Sequence, residues 1–213
     1  SDASAMLEIL ERKFQSPKSK IRARAYYYLG LAYFKMGMHG PASQAFKTIV
    51  DRYYDSDIVA EARANLAWCY YELENYKGAR TMAKDVISDP KIPKNVKMAC
   101  EILVAHSFFS EKAYDKASAA YGEFAYNYAK TGDKDLVAEA LFQQGKVYEI
   151  QEYYNDGIKS WQALVSNYPK SKRAPEAMFK IADIFFKAQQ YDKALQGFKE
   201  ILDRWPKEPV AED

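Results

Sequence analysis

The chain has 213 residues, of which 48% are hydrophobic and 28% are charged, proportions that are ordinary for a globular protein. Its 31 basic and 29 acidic residues leave a formal net charge of +2. This balance argues against a nucleic-acid partner, because nucleic-acid-binding domains carry a basic stripe. The sequence also lacks a run of about 18 consecutive apolar residues, so we predict no transmembrane segment in it.

The first informative stretch predicts an amphipathic helix. Tyr26, Leu29 and Tyr33 recur at spacings of three and four residues, which is typical of one helix face. Gly30 lies on the same face. A glycine inside a helix costs roughly 1 kcal/mol relative to alanine, so its presence here predicts that another helix crosses close by.

A break and a second helix follow the first. Gly37 and Gly40 predict the end of the first helix, and Pro41 predicts the start of the second. Four more breaks are predicted near Glu74, Ala113, Glu152 and Gln189. A small residue opens each second helix, at spacings of 37, 38, 40 and 37 residues: Ala42, Ala79, Ala117, Gly157 and Ala194. Self-similarity at such a period predicts an all-α solenoid of helical hairpins.

We therefore predict five repeats within residues 21–206. Their approximate bounds are 21–55, 57–89, 96–128, 136–169 and 174–206. Residues 1–20 are predicted to form a half repeat that contains only the second helix, because Ala5 and Ile9 lie 37 residues before Ala42 and Phe46. This half repeat favours further repeats upstream. Residues 207–213 are predicted to form a charged tail.

The repeated pattern resembles the tetratricopeptide repeat (TPR) family. The family's order of a large residue, Leu-Gly, Tyr, a small residue and an aromatic is matched by Tyr26, Leu29, Gly30, Tyr33, Ala42 and Phe46. Pro169 and Pro206 occupy the closing proline position, whereas Arg63 and Glu101 depart from the pattern. The resemblance covers residues 22–206, and it implies a right-handed α-solenoid that binds a protein or peptide and is not an enzyme.

Two spacers are similar to those of bacterial envelope repeat proteins. Residues 51–68 and 166–183 carry a tyrosine or proline followed by small residues, as do BamD-like outer-membrane assembly lipoproteins and the Tol–Pal-associated periplasmic repeat proteins. This likeness implies a location in the bacterial periplasm or at the outer membrane. It also implies a role in cell-envelope assembly.

The resemblance further implies that the first helices of successive repeats line a concave groove. The stripe beside the core-facing residues is rich in aromatic rings, and clustered exposed rings mark interaction sites. The alternative is that these rings pack against neighbouring helices as core. The predicted partner-binding residues are Tyr27, Leu31, Phe34, Trp68, Tyr71, His106, Phe109, Phe142, Lys146, Phe179 and Phe186.

The sequence contains little that indicates catalysis. Its two histidines, His39 and His106, do not have the spacing of metal ligands, and neither an HExxH nor a CxxC motif occurs. We predict no cofactor and no metal site. Cys69 and Cys100 are expected to be buried free thiols, with a disulfide between them as the alternative.

The leading functional hypothesis is a non-catalytic scaffold for protein–protein interaction. The TPR carboxylate clamp is not expected, because Glu61, Glu139 and Glu176 stand where that clamp would need a base. A second hypothesis is a self-assembling array, a homo-oligomer that forms through uncapped repeat ends. A third is the regulatory or interaction domain of a larger protein.

Overall fold

The computed structural model describes residues 20–130 and 132–206. Within these two ranges the chain forms ten α-helices and no β-strand. Contacts divide the chain into two compact units, residues 1–111 and 112–213, which are described separately. The division falls inside the third predicted repeat. The predicted tail and, except for Lys20, the predicted half repeat lie outside the described residues.

Unit 1 is a series of antiparallel helices. Its helices are α1 (Lys20–Lys35), α2 (His39–Arg52), α3 (Val59–Glu72), α4 (Tyr76–Ser88) and α5 (Lys94–Ser110). Each helix packs against the next one in the chain, and α3 also contacts α5. The contact between alternate helices places α3 and α5 side by side on one face of the unit.

Unit 2 has the same construction. Its helices are α6 (Tyr114–Tyr128), α7 (Lys134–Ile150), α8 (Tyr154–Asn167), α9 (Ala174–Lys187) and α10 (Tyr191–Arg204). Consecutive helices pack together throughout the unit. Two ion pairs join α7 to α9 and its N-cap: Lys180 on α9 binds Glu149, and Arg173, the residue before α9, binds Glu139. Alternate helices therefore lie side by side in this unit as well.

The turn inside each hairpin has a common backbone conformation. One residue per turn has a positive φ, between 59° and 72°, and these residues are 37, 38, 40 and 37 positions apart: Gly37, Glu74, Lys112, Glu152 and Gln189. In the first turn Met38 N–H donates to the carbonyl of Tyr33 at 2.9 Å, which satisfies a carbonyl at the helix end. This pattern confirms the breaks predicted at Gly37 and near Glu74, Ala113, Glu152 and Gln189.

The start of the second helix differs from the prediction in the first hairpin. Helix α2 begins at His39, so Gly40 and Pro41 lie inside its first turn. Only Gly37 adopts the left-handed conformation that ends the preceding helix. The prediction that Gly40 breaks the helix was wrong, because glycine tolerates a helical conformation when a neighbouring residue makes the turn.

Close helix crossings occur where the glycines predicted them. A Cβ atom added to Gly30 would lie 2.7 Å from the ring of Phe46 on α2. A Cβ added to Gly157 would lie 3.2 Å from the carbonyl oxygen of Gly145. The small residues thus allow the backbones or rings of paired helices to approach closely.

The cores of both units consist of these hairpin contacts. In unit 1 the largest fully buried side chains include Phe46 and Leu66, and in unit 2 they include Trp161 and Phe124. Cys69 and Cys100 are buried free thiols, as predicted. Burial raises the pKa of each thiol to about 12. No helix in the described part of the chain is long and apolar enough to cross a membrane.

Candidate functional site

Seven of the predicted binding residues lie on one face of unit 1, which we call the unit 1 aromatic surface. They are Tyr27, Leu31 and Phe34 on α1, Trp68 and Tyr71 on α3, and His106 and Phe109 on α5. All seven side chains are half-buried. Each one therefore contributes to packing and still presents part of its surface to solvent.

Three rings at the centre of this surface contact one another. The ring centroids of Trp68 and Tyr71 are 5.7 Å apart in an edge-on arrangement, and Trp68 is 6.1 Å from the ring of His106. Tyr71 and His106 are 6.4 Å apart. The Tyr71 hydroxyl and Ser110 Oγ are 3.0 Å apart and share a hydrogen bond. These contacts hold α3 and α5 in a fixed register and orient the rings.

A hydrogen bond also joins α3 to α1. Asn65 Nδ2 on α3 donates to the Tyr27 hydroxyl at 3.2 Å and to the carbonyl oxygen of Glu61 at 2.9 Å. Burial raises the pKa of Tyr27 above its ordinary value, and the hydrogen bond from Asn65 partly opposes the rise. Tyr27 is therefore a neutral hydrogen-bonding group at physiological pH.

Two residues at the α1 end of this surface, Tyr28 and Asn65, were not predicted. Tyr28 is 67% exposed and packs edge-on against Tyr27, with the ring centroids 5.9 Å apart. Asn65 orients the Tyr27 hydroxyl. The run of three tyrosines at 26–28 was a signal for Tyr28, whereas no local pattern indicates which tyrosine Asn65 binds.

The remaining four predicted residues lie in unit 2, on α7 and α9, and we call this region the α7–α9 face. Phe179 is 41% exposed, Phe186 is 54% exposed, and Lys146 is half-buried. Phe179 packs against Phe198 and Phe186 packs edge-on against Tyr191, both on α10. These ring pairs with α10 were not predicted, because pairing across two helices depends on the tertiary structure.

Phe142 corrects the prediction. Its side chain is 1% exposed and belongs to the core of unit 2, with its ring 6.4 Å from that of Trp161. The guanidinium of Arg173 lies 4.7 Å from the Phe142 ring centroid and covers it. Phe142 is therefore not available to a partner, because a long side chain from the next repeat occupies the space above it.

Arg173 is held by two carboxylates. Its Nε is 2.6 Å from Glu139 Oε2, and its Nη1 is 2.7 Å from Glu176 Oε2. The hydrogen bond with Glu139 is the main cause of the raised pKa of Arg173, and the bond with Glu176 adds to it. Two of the three glutamates at the clamp positions are thus bound within the chain.

No group of three or more His, Cys, Asp or Glu side chains in the described ranges could hold a metal ion. The two faces instead offer aromatic rings, hydroxyls and fixed charges. Such faces suit non-covalent binding of a partner.

Comparison with protein families gives four matched segments. The tetratricopeptide repeat model matches residues 24–56, 61–91, 139–171 and 176–208, which together exceed half of the chain.

The chain belongs to the tetratricopeptide repeat family.

Solved TPR-like structures confirm the fold. A crystal structure of MamA has a TM-score of 0.64 at 16% identity, covering 84% of this chain and 95% of MamA. MamA 41-end from Desulfovibrio magneticus RS-1 has a TM-score of 0.66 at 15% identity, covering 89% and 98%. The apo form of RapI has a TM-score of 0.79 at 16% identity, covering 97% of this chain and 59% of RapI.

These likenesses support the fold alone, because the identities are low. Curated protein sequences gave no match. The predicted all-α helical-repeat fold class is confirmed. The finer likeness of this TPR chain to bacterial envelope repeat proteins is not confirmed and stays a prediction.

Proposed function

We propose that this TPR chain is a non-catalytic scaffold that binds a protein or peptide partner on its first-helix faces. The observation that carries the proposal is the cluster of Trp68, Tyr71 and His106, three half-buried rings in mutual contact on one face. TPR proteins are generally non-catalytic interaction scaffolds, which supports the proposal.

Preorganisation of these rings favours binding. Tryptophan and tyrosine are enriched among residues whose truncation costs most of the binding energy at protein interfaces. Rings that are already held by one another lose little conformational entropy when a partner binds, so more of the contact energy appears as affinity. The Tyr71 hydroxyl and Ser110 add polar groups within the same surface.

The test is a pull-down from a lysate with this chain as bait, beside a Trp68→Ala/Phe109→Ala variant. We expect a defined partner that is captured by the wild type and lost with the variant. Circular dichroism of the variant should remain helical. A partner that binds both proteins equally would contradict the assignment of the unit 1 aromatic surface.

Self-assembly is a second candidate function, and one observation favours it. On α8, Ile158 and Val165 are 8% and 4% exposed because α9 packs over them. The residues 37 positions later on α10, Leu195 and Leu202, are 54% and 70% exposed. An apolar face that another helix covers in one repeat is therefore open in the next.

Light scattering at several protein concentrations separates the two functions. A particle mass that rises with concentration, and that stays at one chain for a Leu195→Asp/Leu202→Asp variant, would favour self-assembly. A constant mass of one chain for both proteins would favour the scaffold for another protein.

The cellular location is also a proposal. The likeness of residues 51–68 and 166–183 to bacterial envelope repeat proteins supports a role in the periplasm or at the outer membrane. Fractionation of the source cells with an antibody against the chain tests this location. Recovery with cytoplasmic markers alone would contradict it.

A further inference from the structure

The carboxylates in the α7–α9 face are largely neutralised within the chain. Lys180 Nζ lies 3.1 Å from Glu149 Oε2, and Lys187 Nζ lies 2.6 Å from Asp183 Oδ2. Arg173 binds two further carboxylates, Glu139 and Glu176. A partner that offered a positive charge would have to displace one of these internal cations.

Lys146 differs from the other cations of this face. It occupies on α7 the position that Asp183 occupies on α9, 37 residues later. Its Nζ lies 5.9 Å from the centroid of the Phe142 ring, and it forms no ion pair with any residue of the described ranges. The face therefore carries a positive charge, one turn before Glu149, that pairs with no carboxylate among the described residues.

The same face carries two exposed rings on α9. Phe179 and Phe186 are seven residues apart on α9, which is two helical turns and about 10 Å along the axis. Each ring rests on an aromatic ring of α10, at centroid distances of 5.8 and 5.6 Å. Each ring is therefore packed against α10 on one side and exposed to solvent on the other.

An adjoining cavity extends the apolar part of this surface. It has a volume of about 420 Å³ and lies where the ends of α7 and α9 meet the start of α8. Ile158, Ile184 and Phe185 supply apolar walls, and Glu149 and Lys187 lie at its edge. Because both of these charges are paired within the chain, the cavity suits an uncharged side chain.

The spacing of the two phenylalanines favours a helical partner. On a helix, residues i and i+7 lie on one face and about 10 Å apart, matching the separation of Phe179 and Phe186. An extended peptide covers about 10 Å in three residues, but its side chains i and i+3 point in opposite directions. A helix can therefore contact both rings with one apolar stripe. An extended peptide cannot, because its residues at that separation point to opposite sides.

We propose that the α7–α9 face binds an acidic amphipathic helix of a partner protein. Apolar residues at i and i+7 of that helix contact Phe179 and Phe186, and a carboxylate beside the stripe pairs with Lys146. This inference rests on the proposed scaffold function and names the chemistry of the partner at one face. It differs from the TPR carboxylate clamp, because the charge recognised is a side-chain carboxylate within a helix.

Three fluorescein-labelled helices of about 16 residues test the proposal by fluorescence anisotropy. All three carry leucines at positions i, i+3 or i+4, and i+7. They differ only beside this stripe, where one helix carries Glu, one Gln and one Lys. We expect the Glu helix to bind the wild-type chain about three- to tenfold more tightly than the Lys helix, with a preference that shrinks as salt is raised. Lys146→Glu should reverse the preference, and Lys199→Glu on α10 is the matched control that should leave it unchanged.

A Phe186→Ala variant tests the apolar contact independently. It should weaken all three helices while leaving the order of Glu, Gln and Lys as in the wild type. Equal binding of the Glu and Lys helices to the wild type would overturn the proposal, as would equal losses with Lys146→Glu and Lys199→Glu, or binding of none of the helices. If the Trp68-dependent partner is still captured in any of those cases, only this inference fails and the scaffold function stands.

Discussion

The indole Nε1 of Trp161 on α8 donates a hydrogen bond to the main-chain carbonyl oxygen of Phe142 on α7 at 3.1 Å. Gly145 makes this contact possible, because a Cβ atom there would lie 2.7 Å from Trp161 Cδ1. A buried indole N–H without an acceptor would be unfavourable, so the glycine, the ring and the carbonyl act together.

Gly145→Ala should lower the free energy of unfolding by about 1–3 kcal/mol, because the added methyl group overlaps the Trp161 ring. Urea unfolding followed by circular dichroism measures the change. Gly40→Ala is the matched control. Its added Cβ would meet nothing within 4 Å, so it should raise stability by about 0.4–1 kcal/mol. A stable Gly145→Ala protein would argue against the close crossing of α7 and α8.

Glu152→Gly should stabilise unit 2 by about 1 kcal/mol, because Glu152 has a φ of 63° that L-residues adopt at a cost. Gln162→Gly, at an exposed position inside α8, is expected to destabilise by about 0.5–1 kcal/mol. Thermal unfolding of the two variants should therefore move in opposite directions. A loss of stability in both would contradict the left-handed conformation at Glu152.

Trp161→Ala and Trp68→Ala should show different effects, because one tryptophan belongs to the core and the other to the proposed binding surface. Trp161 is fully buried, so its truncation should cost about 3–5 kcal/mol. Trp68 is half-buried, so its truncation should cost less and should act mainly on partner binding. Urea unfolding and the pull-down are measured on the same preparations. Equal losses of stability would place Trp68 in the core and remove it from the proposed surface.

Ala79→Leu should destabilise unit 1 by about 1–3 kcal/mol, because Ala79 is 0% exposed at the crossing of α3 and α4. Thr81→Leu, two residues further along α4 at an exposed position, is the control and should change stability little. The urea midpoints of the two variants are compared, provided that the slope of unfolding free energy against urea concentration is the same for both. Equal tolerance of both leucines would count against the repeat register in this hairpin.

The two cysteines should make stability fall at alkaline pH. Burial raises the pKa of each folded thiol from 9.0 to about 12, so the unfolded chain releases protons over this window while the folded chain retains them. The free energy of unfolding therefore falls as the pH rises above 9, by at most about 1.4 kcal/mol per pH unit for each thiol. Below the unfolded pKa this contribution to stability is fully present.

Unfolding curves at about pH 8 and about pH 10.5 measure this effect. A Cys69→Ala/Cys100→Ala variant should lose less stability between the two pH values than the wild type. Iodoacetamide should modify the folded wild type slowly at the lower pH and the urea-unfolded chain rapidly. Rapid modification of both thiols in the folded protein would contradict their burial.

Much of the repeat architecture could be predicted from local sequence. Tyr26, Leu29, Gly30 and Tyr33 define a helix face by their spacing, and the structure places that segment in α1. The five small residues and the five turn residues recur with the same spacings, because each hairpin requires one close crossing and one left-handed residue. The start of α2 at His39 departed from the prediction.

The candidate site was less predictable, as Phe142 and Phe179 illustrate. The two residues occupy equivalent positions 37 residues apart, yet one is 1% exposed and the other 41%. Arg173 from the next repeat covers the first ring. The Phe179 ring packs against Phe198 of α10 and keeps much of its surface exposed. Spacing alone assigns both rings to the same stripe and cannot distinguish them.

By itself, the sequence determined the helical period, the pairing of helices into hairpins and the positions of the turns, because helix periodicity and turn conformation depend on residues within a few positions of one another. Only the tertiary structure decided which rings remain exposed and which charges remain unpaired. Those properties depend on side chains from other repeats: Arg173 covers the ring of Phe142, and no described carboxylate forms an ion pair with Lys146.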